Sequence, residues 1–184
     1  MTMTASAPFL SIVIPAYNEE ERLEPTLQRI HAFLSEQSFT WEIIVVNDGS
    51  TDETSALAER FFSPMKEKAR VLNNPGNKGK GYSVRAGMLD AQGDWVLMSD
   101  ADLSTPIEEV LKLLELTQSH PVVIGSRGMK ESLLEERQPL YRETMGKIFN
   151  LMVQTIALPG IQDSQCGFKL FSGEAAKEVF SRTT

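Results

Sequence analysis

The sequence is poor in the residues that most often carry metal and redox chemistry. Its 184 residues include one cysteine, Cys166, and two histidines, His31 and His120. A single cysteine cannot close an internal disulfide, which fits a chain of a reducing, cytoplasmic compartment. His31 lies in a helical pattern and His120 precedes a proline, so both read as structural. Their scarcity argues against a histidine metal site and against a Ser-His-Asp scheme. Cys166, with no histidine partner in view, reads as a small packing residue rather than a nucleophile. Positive charge is also short. Lys plus Arg number 18 against 25 Asp plus Glu, a net charge of −7, which is a poor balance for binding nucleic acid. No run reaches the roughly 20 apolar residues that a transmembrane helix needs. The nearest, IFNLMVQTIAL at 148–158, is too short to span. It reads as core, or as a helix whose outer face meets lipid. The opening MTMTASAPF has no basic region and no long apolar region, so no secretory signal is expected there. There is no internal repeat, linker or low-complexity segment.

What is present suits one globular domain. The chain is 41% hydrophobic and 23% charged, and it is long enough to bury a core. Short apolar runs alternate with helical patterns. Strands are expected at 9–15, 41–47, 70–73, 94–99, 121–125 and 168–171. Between them, Leu23, Leu27, Ile30 and Leu34 repeat at helical spacing over 20–35. Ser50 and Glu53 form a capping-box pattern that starts a helix near Thr51. Further helices are expected over 80–91, from Pro106 in a first-turn position, and over 139–158. Strands alternating with helices predict βαβ units, hence an α/β fold with a mostly parallel sheet and helices on both faces.

In such a sheet ligands bind at the carboxyl ends of the strands, and the polar motifs fall there. The stretch from Val96 to Ser104, VLMSDADLS, ends an apolar strand with Asp100 and Asp102. Placed i and i+2 on extended chain, their carboxylates face the same side and repel. A divalent cation between them resolves that cost, and oxygen ligands in a setting without histidine suit Mg²⁺ or Mn²⁺. Such an ion takes further ligands from phosphate and water, so a diphosphate is the implied partner. Taken alone the D-x-D pattern is weak, and its bland reading is a solvated turn with Asp102 capping a helix near Pro106. Asp48 also ends a strand. It either receives backbone N–H groups of the helix after it or accepts bonds from a nucleobase or ribose. The segment NNPGNKGKGYSVRAG, 73–87, matches neither a P-loop nor a dinucleotide fingerprint. It reads as a flexible turn, from which Lys78, Lys80 and Arg85 remain candidates to reach a phosphate. Arg127, Arg137, Arg142 and Lys169 are either surface charge or a forked clamp for an anionic acceptor.

Taken in order, SIVIPAYNEEERL, IIVVNDGSTDET, NKGKGYSVRAGM, VLMSDADLSTP, VIGSR and DSQCGFKLF resemble the family 2 glycosyltransferases of GT-A fold. Within them the pattern is similar to the polyprenyl-phosphate glycosyltransferases, the dolichyl-phosphate β-glucosyltransferases in particular. The likeness runs from about Phe9 to Phe171. It implies a Rossmann-like nucleotide-diphospho-sugar transferase fold and inverting, metal-dependent transfer of a hexose, with glucose first, to a polyprenyl (dolichyl-type) phosphate. UDP-glucose is the expected donor and GDP-mannose the alternative. Carried over by position, Pro15, Ala16, Tyr17, Glu19, Asp48, Lys80, Asp100, Ala101 and Asp102 bind the nucleotide sugar, and Asp100 and Asp102 bind Mg²⁺ or Mn²⁺. Arg127 and Arg142 bind the acceptor or transferred phosphate. Asp163 stands where a catalytic carboxylate is expected, as a base or as a group that orients an Arg, a Lys or the acceptor. The resemblance also implies peripheral contact with the cytoplasmic face of a membrane. Such enzymes usually continue into C-terminal membrane-associated helices, and residues 1–184 are expected to be a single catalytic domain without them. Three alternatives stand beside this reading. One is a non-lipid acceptor and one is a non-catalytic nucleotide-sugar-binding module. The third is an aspartate-nucleophile phosphatase, whose pattern wants Thr or Val where this chain has Ser104.

Overall fold

The structure is a computed structural model, which describes residues 7–126 and 166–183. The described residues form one compact unit, up to 123 and from 168 onward, and the margins of a second unit spanning 124–167. Six strands are present among the described residues: β1 (Leu10–Ala16), β2 (Trp41–Asn47), β3 (Ala69–Asn73), β4 (Trp95–Met98), β5 (Val122–Ile124) and β6 (Lys169–Ser172). The α-helices among them are α1 (Leu23–Ser35), α2 (Thr54–Phe62), α3 (Lys80–Asp90), α4 (Val110–Glu115) and α5 (Gly173–Arg182). The sheet order is β3-β2-β1-β4-β6-β5. β1 pairs in parallel with β2 and β4, and β2 with β3, whereas β6 runs antiparallel to β4.

The order follows from how the chain must bury its strands. β1 and β2 are buried at every position, as parallel strands covered on both faces are. Right-handed crossovers put α1 and α2, which lead outward from β1 to β3, on one face. They put α3, which returns across β1 to β4, on the other. The packing agrees: α1 rests on α2, and α3 on β1 and β2. Val13, Ile44, Val46, Val96, Met98 and Phe171 form one core with Val84 and Met88 of α3 and Ala176 of α5. The alternate residues Ile12, Ile14, Ile43, Leu97 and Leu170 are also fully buried and point to the opposite face. Gly87 is what lets α3 lie so close. A Cβ there would overlap Val13 and stand 2.8 Å from Val46 Cγ2. Because the chain reverses direction at β1, a crevice opens between the carboxyl ends of β1 and β4.

Four local expectations are corrected. α2 starts at Thr54 rather than near Thr51, and Ser50 and Glu53 form no capping box. Ser50 Oγ instead accepts from Asn18 N, and Glu53 N donates to Glu20 Oε2, so contacts with the loop after β1 override the local pattern. Pro106 precedes a short 3₁₀ turn, Ile107–Glu109, and α4 begins only at Val110. Helix α1 begins at Leu23, not at Glu20. The last strand is Lys169–Ser172, one residue later than expected, and helix α5 after it was not anticipated. Its signal was Ser172, whose Oγ accepts from Ala175 N as a helix cap does. The expected helix at 139–158, including the apolar run 148–158, lies outside the described residues. His31 is structural, with its ring edge-on to Trp41 at 5.8 Å and to Phe61 at 6.3 Å. Cys166 is buried.

Candidate active site

The crevice at the switch point is a cleft of about 330 Å³. From β1 it is lined by Pro15 and Ala16, followed by Tyr17 and Glu19. Asp48 enters from the end of β2, Lys80 from the start of α3, and Asp100, Ala101 and Asp102 from the loop after β4. The structure therefore brings together every residue expected to bind the nucleotide sugar. Asn77, Gly79 and Ser83 complete the lining, and sequence reasoning did not single them out. Their signal was the glycine-rich stretch 73–87, which read more easily as a loose turn. Arg127, Arg142 and Asp163 lie outside the described residues, as does Arg137.

Two loops fix the β1 side. Asn18 adopts a left-handed backbone, φ 53°, and its Oδ1 accepts from Thr51 N at 2.9 Å. Glu19 N donates to Thr54 Oγ1 at 2.8 Å, and Glu20 N to Asp52 Oδ2 at 3.3 Å. Asp52 also accepts from Thr54 N and Thr54 Oγ1. Burial alone would raise its carboxyl pKa, but these bonds outweigh that and hold it below the ordinary value. The polar residues after β1 and β2 thus tie the two loops together and set the backbone that carries Tyr17 and Glu19. Glu19 Oε2 lies 2.7 Å from Arg22 Nη2, an ion pair without hydrogen-bond alignment.

Asp48 fixes the α3 side. It is 3% exposed. Its Oδ1 accepts from Asn74 Nδ2 at 2.8 Å and from Lys78 N at 2.9 Å, and its Oδ2 accepts from Gly79 N at 2.8 Å. Burial pushes this carboxyl up, yet the bonds from Lys78, Asn74 and Gly79 prevail and keep it below the ordinary range. The backbone it holds is the entrance to α3, not that of α2. Gly49 allows this approach: at φ 69°, a Cβ there would stand only 2.6 Å from Asn77 N.

The acidic pair is not on extended chain. β4 ends at Met98, and Ala101 and Asp102 form a turn, which Thr26 Oγ1 of α1 anchors by donating to Ala101 O at 2.6 Å. Asp102 Oδ1 accepts from Ser104 N at 3.0 Å and from Ser104 Oγ at 2.7 Å. It therefore closes its own turn rather than capping a helix at Pro106. Burial raises the Asp102 carboxyl, but Ser104 and the nearby Arg22 charge bring it below the ordinary value. Asp100 Oδ1 accepts from Lys80 Nζ at 2.6 Å. Each carboxylate keeps its second oxygen without a hydrogen bond among the described residues. No group of three or more His, Cys, Asp or Glu among them is placed to hold a metal ion. Two carboxylates and no softer ligand fit a hard divalent cation that completes its shell with phosphate and water.

The mostly parallel six-stranded sheet with its helices has the GT-A fold of glycosyltransferases. The family model described as Glycosyl transferase family 2 matches residues 11–180, and the chain belongs to that family. It is 38% identical to a dolichyl-phosphate beta-glucosyltransferase of Trichomonas vaginalis, over 95% of this chain and 55% of that protein. It is 37% identical to the dolichyl-phosphate beta-glucosyltransferase of Homo sapiens, over 94% of this chain and 57% of that protein. The chain thus spans about half the length of the curated relatives it matches. Its fold is similar to that of glucosyl-3-phosphoglycerate synthase from Mycobacterium tuberculosis, solved with Mn²⁺, UDP-glucose and phosphoglyceric acid. There the TM-score is 0.63 at 22% identity, covering 91% of this chain and 57% of that one.

Proposed function

We propose that this chain is the donor-binding catalytic domain of an inverting glycosyltransferase. In this reading it moves glucose from UDP-glucose to a polyprenyl phosphate of dolichyl type, with Mg²⁺ or Mn²⁺ as cofactor. The observation that carries the reading is the cleft at the β1/β4 switch point, where the acidic pair and Lys80 meet the loops after β1 and β2. The names of the relatives support glucose as the sugar and dolichyl phosphate as the acceptor.

The chemistry asks for little beyond positioning and charge. A divalent cation held by Asp100 and Asp102 supplies neutralisation of the charge that grows on the departing nucleoside diphosphate. Pro15, Ala16, Tyr17 and Glu19 line the nucleotide pocket in this reading. Asp48 keeps Lys78 and Gly79 in place and so aims Lys80 at the diphosphate. A phosphate acceptor is already ionised near neutral pH and needs no strong base. Arg127 and Arg142 therefore bind its charge, and Asp163 orients them or the acceptor. A polyprenyl phosphate acceptor calls for contact with a membrane, and the cytoplasmic face is the side this reading assigns. No helix among the described residues is long and apolar enough to cross one.

A thermal-shift panel tests the reading: UDP, GDP and other nucleoside diphosphates, each with Mn²⁺ or with EDTA. Stabilisation by UDP that depends on Mn²⁺ is the expected result; at 100 times Kd the gain is about 2.7 kcal/mol. The same response to GDP alone moves the donor to GDP-mannose. No response to any nucleotide refutes the donor site. Donor binding without transfer to a polyprenyl phosphate identifies a binding module.

A further inference from the structure

Among the described residues, the contact between Lys80 and Asp100 differs from the other exposed ion pairs in having both partners in the lining of the cleft. Arg22–Glu19, Lys112–Glu109 and Arg182–Glu178 join neighbours three or four residues apart, and the long-range pairs Arg29–Glu108 and Arg70–Asp90 lie outside that lining. Lys80 and Asp100 are twenty residues apart, come from different elements and both line the cleft. The geometry of the pair is also imposed from outside it. Asp48 fixes the two residues before Lys80, and Thr26 fixes the residue after Asp100. Lys80 Nζ reaches Asp100 Oδ1 at 2.6 Å, the length of a charge-assisted hydrogen bond. A carboxylate offered to a cation in this fold is therefore already engaged by a cation of the chain itself.

Resting on the donor-site reading above, we propose that Lys80 is an exchangeable stand-in for the metal. In the empty cleft it neutralises Asp100 and opposes the entry of a free divalent ion. When a nucleoside diphosphate arrives, Lys80 transfers its ammonium to a phosphate oxygen and leaves Asp100 Oδ1 open for coordination. Nucleotide and metal are then taken up together, because each removes the obstacle to the other. A bare divalent cation, with no anion for Lys80 to move to, binds weakly. No covalent bond changes; one hydrogen-bonded ion pair is exchanged for another.

The experiment measures binding, not turnover. Free Mn²⁺ is titrated by electron paramagnetic resonance without nucleotide, and UDP is titrated by calorimetry in EDTA, on wild type, Lys80→Met, Lys80→Arg and Asp100→Asn. Lys80→Met removes a unit charge beside the ion, so its Mn²⁺ affinity without nucleotide should rise about tenfold. Its affinity for metal-free UDP should fall, and UDP should then strengthen Mn²⁺ binding less than in wild type. Lys80→Arg keeps the charge and should stay near wild type in both titrations. A purely structural role for Lys80 would weaken both ligands. Unchanged or weaker Mn²⁺ binding by Lys80→Met, while Asp100→Asn still abolishes it, overturns the exchange and leaves the donor site standing. Wild type that takes up no Mn²⁺ with UDP, or Asp100→Asn that binds Mn²⁺ as wild type does, overturns the donor-site reading and the exchange with it.

Discussion

Replacing Asp48 by Asn tests whether a buried carboxylate holds the cleft together. The side chain is 3% exposed and accepts three bonds, from Asn74 Nδ2, Lys78 N and Gly79 N, over both oxygens. An amide has one acceptor oxygen. If that oxygen keeps Asn74 and Lys78, its NH₂ group faces Gly79 N, donor against donor. The loss of one bond to a charged group costs about 1.5–3 kcal/mol. The two that remain weaken to neutral strength, while the relief of charge burial offsets part of the total. The expected net is a destabilisation of about 3 kcal/mol, a fall in Tm of roughly 6–12 °C for a domain of this size. Urea denaturation at constant m gives the energy. Amide hydrogen exchange gives the location, which should be the N–H groups of Lys78 and Gly79. The pH dependence supplies a third check. Because the folded carboxyl lies below its ordinary value of 3.8, its contribution is fully present above that value. It is lost as the pH falls through the folded pKa. Wild type should lose this increment on acidification and Asp48→Asn should not. A variant within about 0.5 kcal/mol of wild type, with exchange at Lys78 and Gly79 unchanged, would refute the reasoning.

Two further substitutions probe the supports of the cleft. Gly87→Ala should destabilise the protein by about 1–3 kcal/mol despite the better helix propensity of alanine, because its Cβ overlaps Val13 and Val46; an increase in Tm would contradict the close packing of α3. Asn18→Ala should cost more than Asn18→Gly by about 1 kcal/mol, since both lose the bonds to Thr51 but only alanine is strained at φ 53°; equal melting temperatures would remove the argument from backbone strain.

The strands were legible because their signal is local. WEIIVVN at 41–47 is a run of β-branched and apolar residues, and β2 occupies those residues. The positions of the motifs at strand ends then followed from the general geometry of parallel sheets. Helix starts were less legible. Ser50 and Glu53 carry a capping pattern, yet both are taken by partners about thirty residues away, and no local rule weighs such competitors. Helix α5 was missed because its apolar stripe is short and only Ala176 is buried in it.

The sequence by itself determined the class of fold, the family, and the set of polar residues gathered at the carboxyl edge of the sheet. Periodicity and motif order are properties of the chain and survive without coordinates. Tertiary structure alone decided what those residues do to one another. It turned the aspartate pair out of extended chain and gave Asp48 to the entrance of α3 rather than to α2. It also set Lys80 against Asp100. Each of these outcomes depends on the sheet order β3-β2-β1-β4, which carries loops distant in sequence to one edge. There a single ångström decides which donor a carboxylate oxygen accepts from, and spacing along the chain carries no record of that distance.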